Sequence, residues 1–263
     1  MRTGQYDIPE NGAAGTDAQS SSSAFTVIEL MASIAVLAVI VTSVAMLFSQ
    51  SNKSWNSGSD NASLNTAARI AMDLISQDLE CAVADDTLTF TCRLDRNGTT
   101  TYGLDNNELC FVSFINSGAG NTRAAAEIQY WVRPVTNGGT VTEYQLVRCV
   151  NPVTNSPSSC YNNRDWHIVR SGNIGVAAEN VANFRVGALR YGNLEPVYCS
   201  TNYADNLPPL CVDIYLELMD NETAAKVSDM IRNGMNYTNF LERNVRRYSN
   251  RVYLRNRNGY RNR

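Results

Sequence analysis

The chain has a single histidine, His167, in 263 residues. That scarcity excludes a multi-histidine metal site and would rest any serine–histidine–acid triad on one side chain. No G-x-S-x-G turn accompanies it, so His167, between Trp166 and Ile168, reads as a structural or surface residue. The G-x-x-x-x-G-K-[ST] phosphate loop and the H-E-x-x-H metal helix are both missing, and no pair of carboxylates can be placed as acid and base. These absences point away from an enzyme and call for no cofactor. The net charge of −3 gives no global attraction to nucleic acid. Proline is absent from Phe25 to Val83, so nothing there forces a helix to break.

C-x-x-C is missing as well, although there are seven cysteines. Cys81/Cys92, Cys149/Cys160 and Cys199/Cys211 would each close a short loop, leaving Cys110 over. An oxidising compartment outside the cytoplasm would join such pairs; a reducing one would leave seven small buried hydrophobes. The runs Asp95-Arg96-Asn97-Gly98 and Asp105-Asn106-Asn107-Glu108 carry oxygen ligands suited to calcium. Their glycine is misplaced for an EF-hand, so plain turns are the expectation.

What the chain does have is one long apolar run. Residues 1–23 are polar and acidic, without the composition of a packed core. From Phe25 to Phe48 the only charge is Glu29. As a helix this run is about 36 Å long, enough to cross a hydrocarbon layer of roughly 30 Å. It suits an ordinary anchor, a signal peptide cut after Ala45 (Ser43-Val44-Ala45), or a segment cut before the run. Glu29 separates the three. A carboxylate inside an apolar helix is costly and is usually functional. A plain anchor has no use for one, and a signal peptide prefers a basic leader. Cleavage after Ala24 would create an α-amino group on Phe25, largely cationic at neutral pH with a pKa of about 7.7–8.0. Glu29 of one chain can then pair with that amine on another, a contact suited to fixing register.

The residues Ala24-Phe25-Thr26-Val27-Ile28-Glu29-Leu30 and the apolar run behind them resemble the processing motif of type IV prepilins, a family that includes minor pilins and pseudopilins. The resemblance implies a prepilin peptidase that cuts after Ala24, methylation of Phe25, and Glu29 as the residue that guides assembly with other pilin subunits. It implies four segments: a leader (1–24), a membrane and filament-core helix (25–48), a helical extension (49–85) and a β-rich head (86–263). Insertion in the inner membrane with a periplasmic head, followed by a periplasmic or surface filament, is also implied. Two features depart from the family. Glycine is usual at the place of Ala24, and this leader is longer and less basic.

Beyond the run, Leu64, Ala68, Ala71, Ile75, Leu79 and Ala82 share one helical face, with Arg69, Asp73 and Gln77 opposite. An amphipathic helix lying on a sheet follows; the resemblance to pilins implies that it continues the span through Gly58 as one long, bent or straight helix. Strands are expected at Thr87–Cys92, Glu108–Ile115, Glu127–Pro134, Val141–Val150, Val181–Arg190, Val212–Leu218 and Arg251–Arg255, with a hairpin at Asn137-Gly138-Gly139. Long loops are expected at 116–126, 151–165 and 191–210. A helix at Asn221–Arg232 takes Asn221 or Thr223 as its cap. The fold class is α+β: a long N-terminal helix packed on an antiparallel sheet. This order is similar to that of larger minor pseudopilins and PilW-type minor pilins. The closing RRYSNRVYLRNRNGY is similar to that of prepilin-like cassette proteins of Verrucomicrobia.

That closing stretch is also the strongest charge feature. Arg246, Arg247, Arg251, Arg255 and Arg257 are interleaved with Tyr248, Tyr253 and Tyr260. Such a segment can hold a polyanion, nucleic acid included. As a strand it would instead turn Val252 and Leu254 inward and offer its arginines to acidic surface on a neighbouring subunit. The second reading is preferred, and nucleic acid is not an expected partner. The rival function from another class is a secreted or anchored module whose basic tail binds a polyanion.

Overall fold

The computed structural model describes residues 26–84, 88, 90–95, 100–102, 104–116, 123–137, 140–153, 172–189, 197–198, 203–205, 209–254 and 256–257. It is α+β. One helix, α1 (Val27–Glu80), precedes strands β1 (Ala82–Ala84), β2 (Phe90–Leu94), β3 (Thr100–Thr101), β4 (Leu104–Asp105), β5 (Asn107–Asn116), β6 (Arg123–Asn137) and β7 (Thr140–Pro152). Then come β8 (Asn173–Ala178), β9 (Val181–Leu189), β10 (Val197–Tyr198), β11 (Tyr203–Asp205) and β12 (Cys211–Leu218). Helices α2 (Asn221–Arg232) and α3 (Thr238–Asn244) and strands β13 (Arg246–Tyr253) and β14 (Asn256–Arg257) close the order. Two compact units divide the chain after Trp55. Helix α1 runs on through Gly58, where an added Cβ would meet nothing within 4 Å.

In the second unit the strands form two main sheets. The larger is ordered β11-β2-β5-β6-β7-β8, with β1 also on β5 and β14 parallel to β1; the smaller is β10-β9-β12-β13. The β6–β7 hairpin keeps its register from Ala126↔Pro152 to Asn137↔Thr140, with one irregularity at Val135/Thr136. Helix α1 contributes Ala68, Ala71, Met72, Ile75 and Leu79 to a core shared with both sheets. Truncating Ile75 or Leu79 to alanine there would cost about 2–5 kcal/mol each. Among the described residues β9 has no neighbouring strand over Ala182–Val186 on the side away from β12, and side chains take that place. Thr101 Oγ1 donates to the Ala182 carbonyl at 2.7 Å, Asn106 Oδ1 accepts from Phe184 N at 3.0 Å, and Asn107 Oδ1 accepts from Val186 N at 2.8 Å. Buried backbone groups at a sheet edge need such partners.

Several expectations are corrected. Asp105–Glu108 is not a plain turn: it joins β4 to β5 and carries the asparagines that clamp β9. The first strand runs Phe90–Leu94, later than Thr87–Cys92, because it pairs with the Asn107–Cys110 stretch of β5. Strand β6 begins at Arg123, inside the expected 116–126 loop, and β10 and β11 occupy parts of 191–210. Strand β8 and helix α3 were not foreseen. Helix α2 has the expected bounds, but its cap is Asp220, whose Oδ1 accepts from Thr223 N at 2.6 Å.

Candidate functional site

The apolar half of α1 is the first candidate. Among the described residues it is the one helix long and apolar enough to cross a membrane. Its large side chains lie open, from Val27 at 76% exposure to Phe48 at 67%. A continuous apolar surface of this kind belongs against lipid or protein. The polar groups within it are already satisfied. The hydroxyls of Ser33, Thr42 and Ser43 donate to the carbonyls of Glu29, Ala38 and Val39 at 2.7, 2.8 and 2.8 Å. Such internal bonds suit an environment that supplies none.

Ala24 and Phe25 lie outside the described residues. Glu29 stands in the first turn of α1, and sequence reasoning missed what it does there. Thr26 caps the helix and Glu29 closes a capping box. Thr26 N and Thr26 Oγ1 both lie 3.0 Å from Glu29 Oε2, and Glu29 N donates back to Thr26 Oγ1 at 3.3 Å. The spacing T-x-x-E was the available signal. Glu29 is thus satisfied within its own turn, at an exposed position.

Asp78, near the other end of this helix, has a different setting. It is 5% exposed. Arg148 on β7 grips it with both arms, Nε at 2.6 Å and Nη2 at 2.8 Å, and the Tyr130 hydroxyl on β6 donates to it as well. Burial pushes the Tyr130 phenol well above the ordinary tyrosine range, and the Asp78 carboxylate adds to the shift. Burial works against the charge on Arg148, but the bonds to Asp78 outweigh it and raise its pKa. The cluster ties α1 to two strands of the larger sheet.

The basic strand is partly neutralised within the chain. Arg251 lies opposite Asp213 on β12 and Arg247 opposite Glu217. The first pair is doubly bonded at 2.6 and 2.7 Å, and the second approaches to 2.8 Å. Asp213 holds the Arg251 guanidinium more firmly protonated than usual. Arg247 and Arg251, expected to offer their charge to a neighbouring subunit, thus have acids one strand away within the chain. Arg246 turns instead to the neutral Asn61 of α1, at 3.0 Å. Val252 and Leu254 are buried and Tyr253 is exposed, as expected. The side chains of Arg255 and Arg257 lie outside the described residues, as does His167.

None of the three expected cysteine pairs forms. Cys81 and Cys149 carry free thiols, and neither Cys110 nor Cys211 is in a disulfide. Cys92 is disulfide-bonded. Cys160 and Cys199 lie outside the described residues. The pair Cys81/Cys92 fails for a geometric reason. The Cys81 carbonyl accepts from Phe114 N, while Cys92 lies opposite Leu109 on the same strand. Five residues of strand separate those points by about 17 Å, far beyond disulfide reach. Cys110, Cys149 and Cys211 are buried, and the Cys110 thiol donates to the Glu108 carboxylate. Among the described residues no group of three or more His, Cys, Asp or Glu side chains is placed to hold a metal ion.

In comparison with known proteins, no family model and no curated protein matches the chain.

Proposed function

We propose that this chain is a prepilin-type subunit, of the minor pilin or pseudopilin kind, with a structural and non-catalytic role. A prepilin peptidase removes the leader after Ala24, Phe25 becomes the methylated N-terminus, and the apolar half of α1 holds the subunit in the inner membrane. The helix then leaves lipid for the core of a filament, exchanging lipid contacts for contacts with other helices. Glu29 leaves its own capping turn and pairs with the Phe25 amine of a neighbour, setting the stagger between subunits, while the head stands outside the membrane. No disulfide pairing enters the proposal.

The observation that carries this reading is the single carboxylate at the head of a wholly apolar helix, with no charged partner of its own among the described residues. The rival, a secreted module with a polyanion-binding tail, is weakened by the internal pairing of Arg247 and Arg251. Intact-mass measurement and N-terminal sequencing of the protein extracted from membranes test the proposal. A chain beginning at Phe25 and carrying one added methyl is expected. A retained leader or a start at Met46 would overturn it.

A further inference from the structure

Two open strand edges flank α1, one in each sheet. Asn61, Asn65 and Ser76 face β13, meeting Arg246, Tyr248 and Asn250. Ser63, Ala67, Ile70 and Leu74 line a groove along β8, on the other flank of the buried stripe. Among the described residues β8 is the last strand of the larger sheet and β13 the last of the smaller. An open edge presents unpaired amides and carbonyls and is a template for another strand. The two edges differ in charge. Strand β8 runs into Glu179, which shares its end of the groove with Asp60 and Asp220. Strand β13 starts with Arg246 and Arg247, just after Arg243 in the last turn of α3. Among the described residues the Arg246 guanidinium bonds a neutral amide, with no carboxylate at its tip. Each edge also exposes apolar surface: Ile174 at 44% and Val176 at 47% on β8, and Tyr253 at 57% on β13.

We infer that copies of this chain join edge to edge, β13 of one copy adding antiparallel to β8 of the next. Antiparallel pairing brings the start of β13 to the end of β8, setting Arg246 against Glu179 and Tyr253 toward Ile174. Parallel pairing would separate both matches. The two surfaces differ and lie on opposite flanks of α1, so the contact is heterologous. Each copy offers one edge of each kind, so the contact can repeat from copy to copy; the rotation between copies decides between a ring and the open array that a filament requires. The inference deepens the assembly reading by naming a head-to-head surface, and it stands or falls separately from leader cleavage.

Sedimentation of the full chain in mild detergent, over a concentration series, tests it. The unsubstituted chain is expected to form species larger than a dimer. Glu179→Arg and Arg246→Glu, both at exposed positions, should each weaken association about tenfold or more, since like charges are then opposed. The combination of the two restores the opposite-charge match and should recover most of the loss. Val176→Lys, which puts a charge on the exposed edge strand, should weaken association without touching either partner. The inference is overturned if the unsubstituted chain stays monomeric or stops at a closed dimer. Single substitutions without effect, or a combination no better than either alone, overturn it equally. Pairing heads on a chain that keeps its leader would sink the filament proposal and leave this contact standing. A chain cut before Phe25 whose association ignores these substitutions would do the reverse.

Discussion

Helix α1 carries one acid in its apolar half and one in the stripe of its other half, and the two are treated in opposite ways. Asp78 is buried and meets a guanidinium and a phenol from two strands of the head. Glu29 is exposed and meets only its own helix-capping threonine. The residues around Asp78 alternate between a core face and a wet face, whereas those around Glu29 are apolar on all sides. An acid whose partners are within the chain locks the fold. On the proposed reading, an acid in an apolar rod, held among the described residues by its own first turn, is placed for a partner on a neighbouring chain.

The comparison breaks first at Asp78. Asp78→Ala leaves the partly buried Arg148 without its counter-charge and Tyr130 without an acceptor. It should destabilise the head by about 3 kcal/mol, the low end for a buried pair that loses one member, because Arg148 keeps some contact with water. Denaturant unfolding monitored by tryptophan fluorescence checks this; a loss under about 1 kcal/mol would mean the cluster does not hold the helix.

A smaller effect comes from the phenol. Tyr130→Phe removes one hydrogen bond to a charged acceptor and should cost about 1.5 kcal/mol. Its pH dependence has a definite sign. The folded pKa of Tyr130 is raised above its unfolded value of about 10. The contribution is therefore intact below about pH 10 and drains away as pH rises beyond it, because only the unfolded chain gives up the proton. Unfolding curves from pH 8 to 11 should show stability falling above about pH 10, and a shallower fall in Tyr130→Phe. Equal slopes in the two proteins would remove Tyr130 from the account.

Much of this was legible where structure is local. The 64–82 stripe marked the buried face of α1, and the apolar run marked the half of α1 that is long and apolar enough to cross a membrane. Both bounds of α2 could be read from its pattern, and the turn residues at 137–139 announced the β6–β7 hairpin. What the sequence hid depends on distant partners. Strand β8, Asn-Ile-Gly-Val-Ala-Ala, is small and glycine-broken, with no alternation to mark it; it exists because β7 pairs with it. Strand β13 starts at Arg246 and not at Arg251 because β12 pairs with it along its whole length, and the residues it turns to α1, Arg246, Tyr248 and Asn250, meet polar side chains, so no apolar alternation marks its first half. The arginines found their acids on β12, 30 and 38 residues earlier in the chain. The cysteine spacing misled because loop length says nothing about where β1 and β2 land along β5. At Glu29 the charge was visible, but the capping role of Thr26 was overlooked.

Glutamine at position 29 tests the central claim most directly. Gln still accepts from the Thr26 amide and so completes a capping box, but it carries no charge. If Glu29 serves a neighbouring amine, the Glu29→Gln chain inserts in the membrane normally and is cut after Ala24. It then fails to enter filaments sheared from cells and separated by centrifugation, as Glu29→Ala also should. Filaments containing the Gln variant at the level of the unsubstituted chain would show that Glu29 does no more than cap its own helix, and the account would fail at its centre.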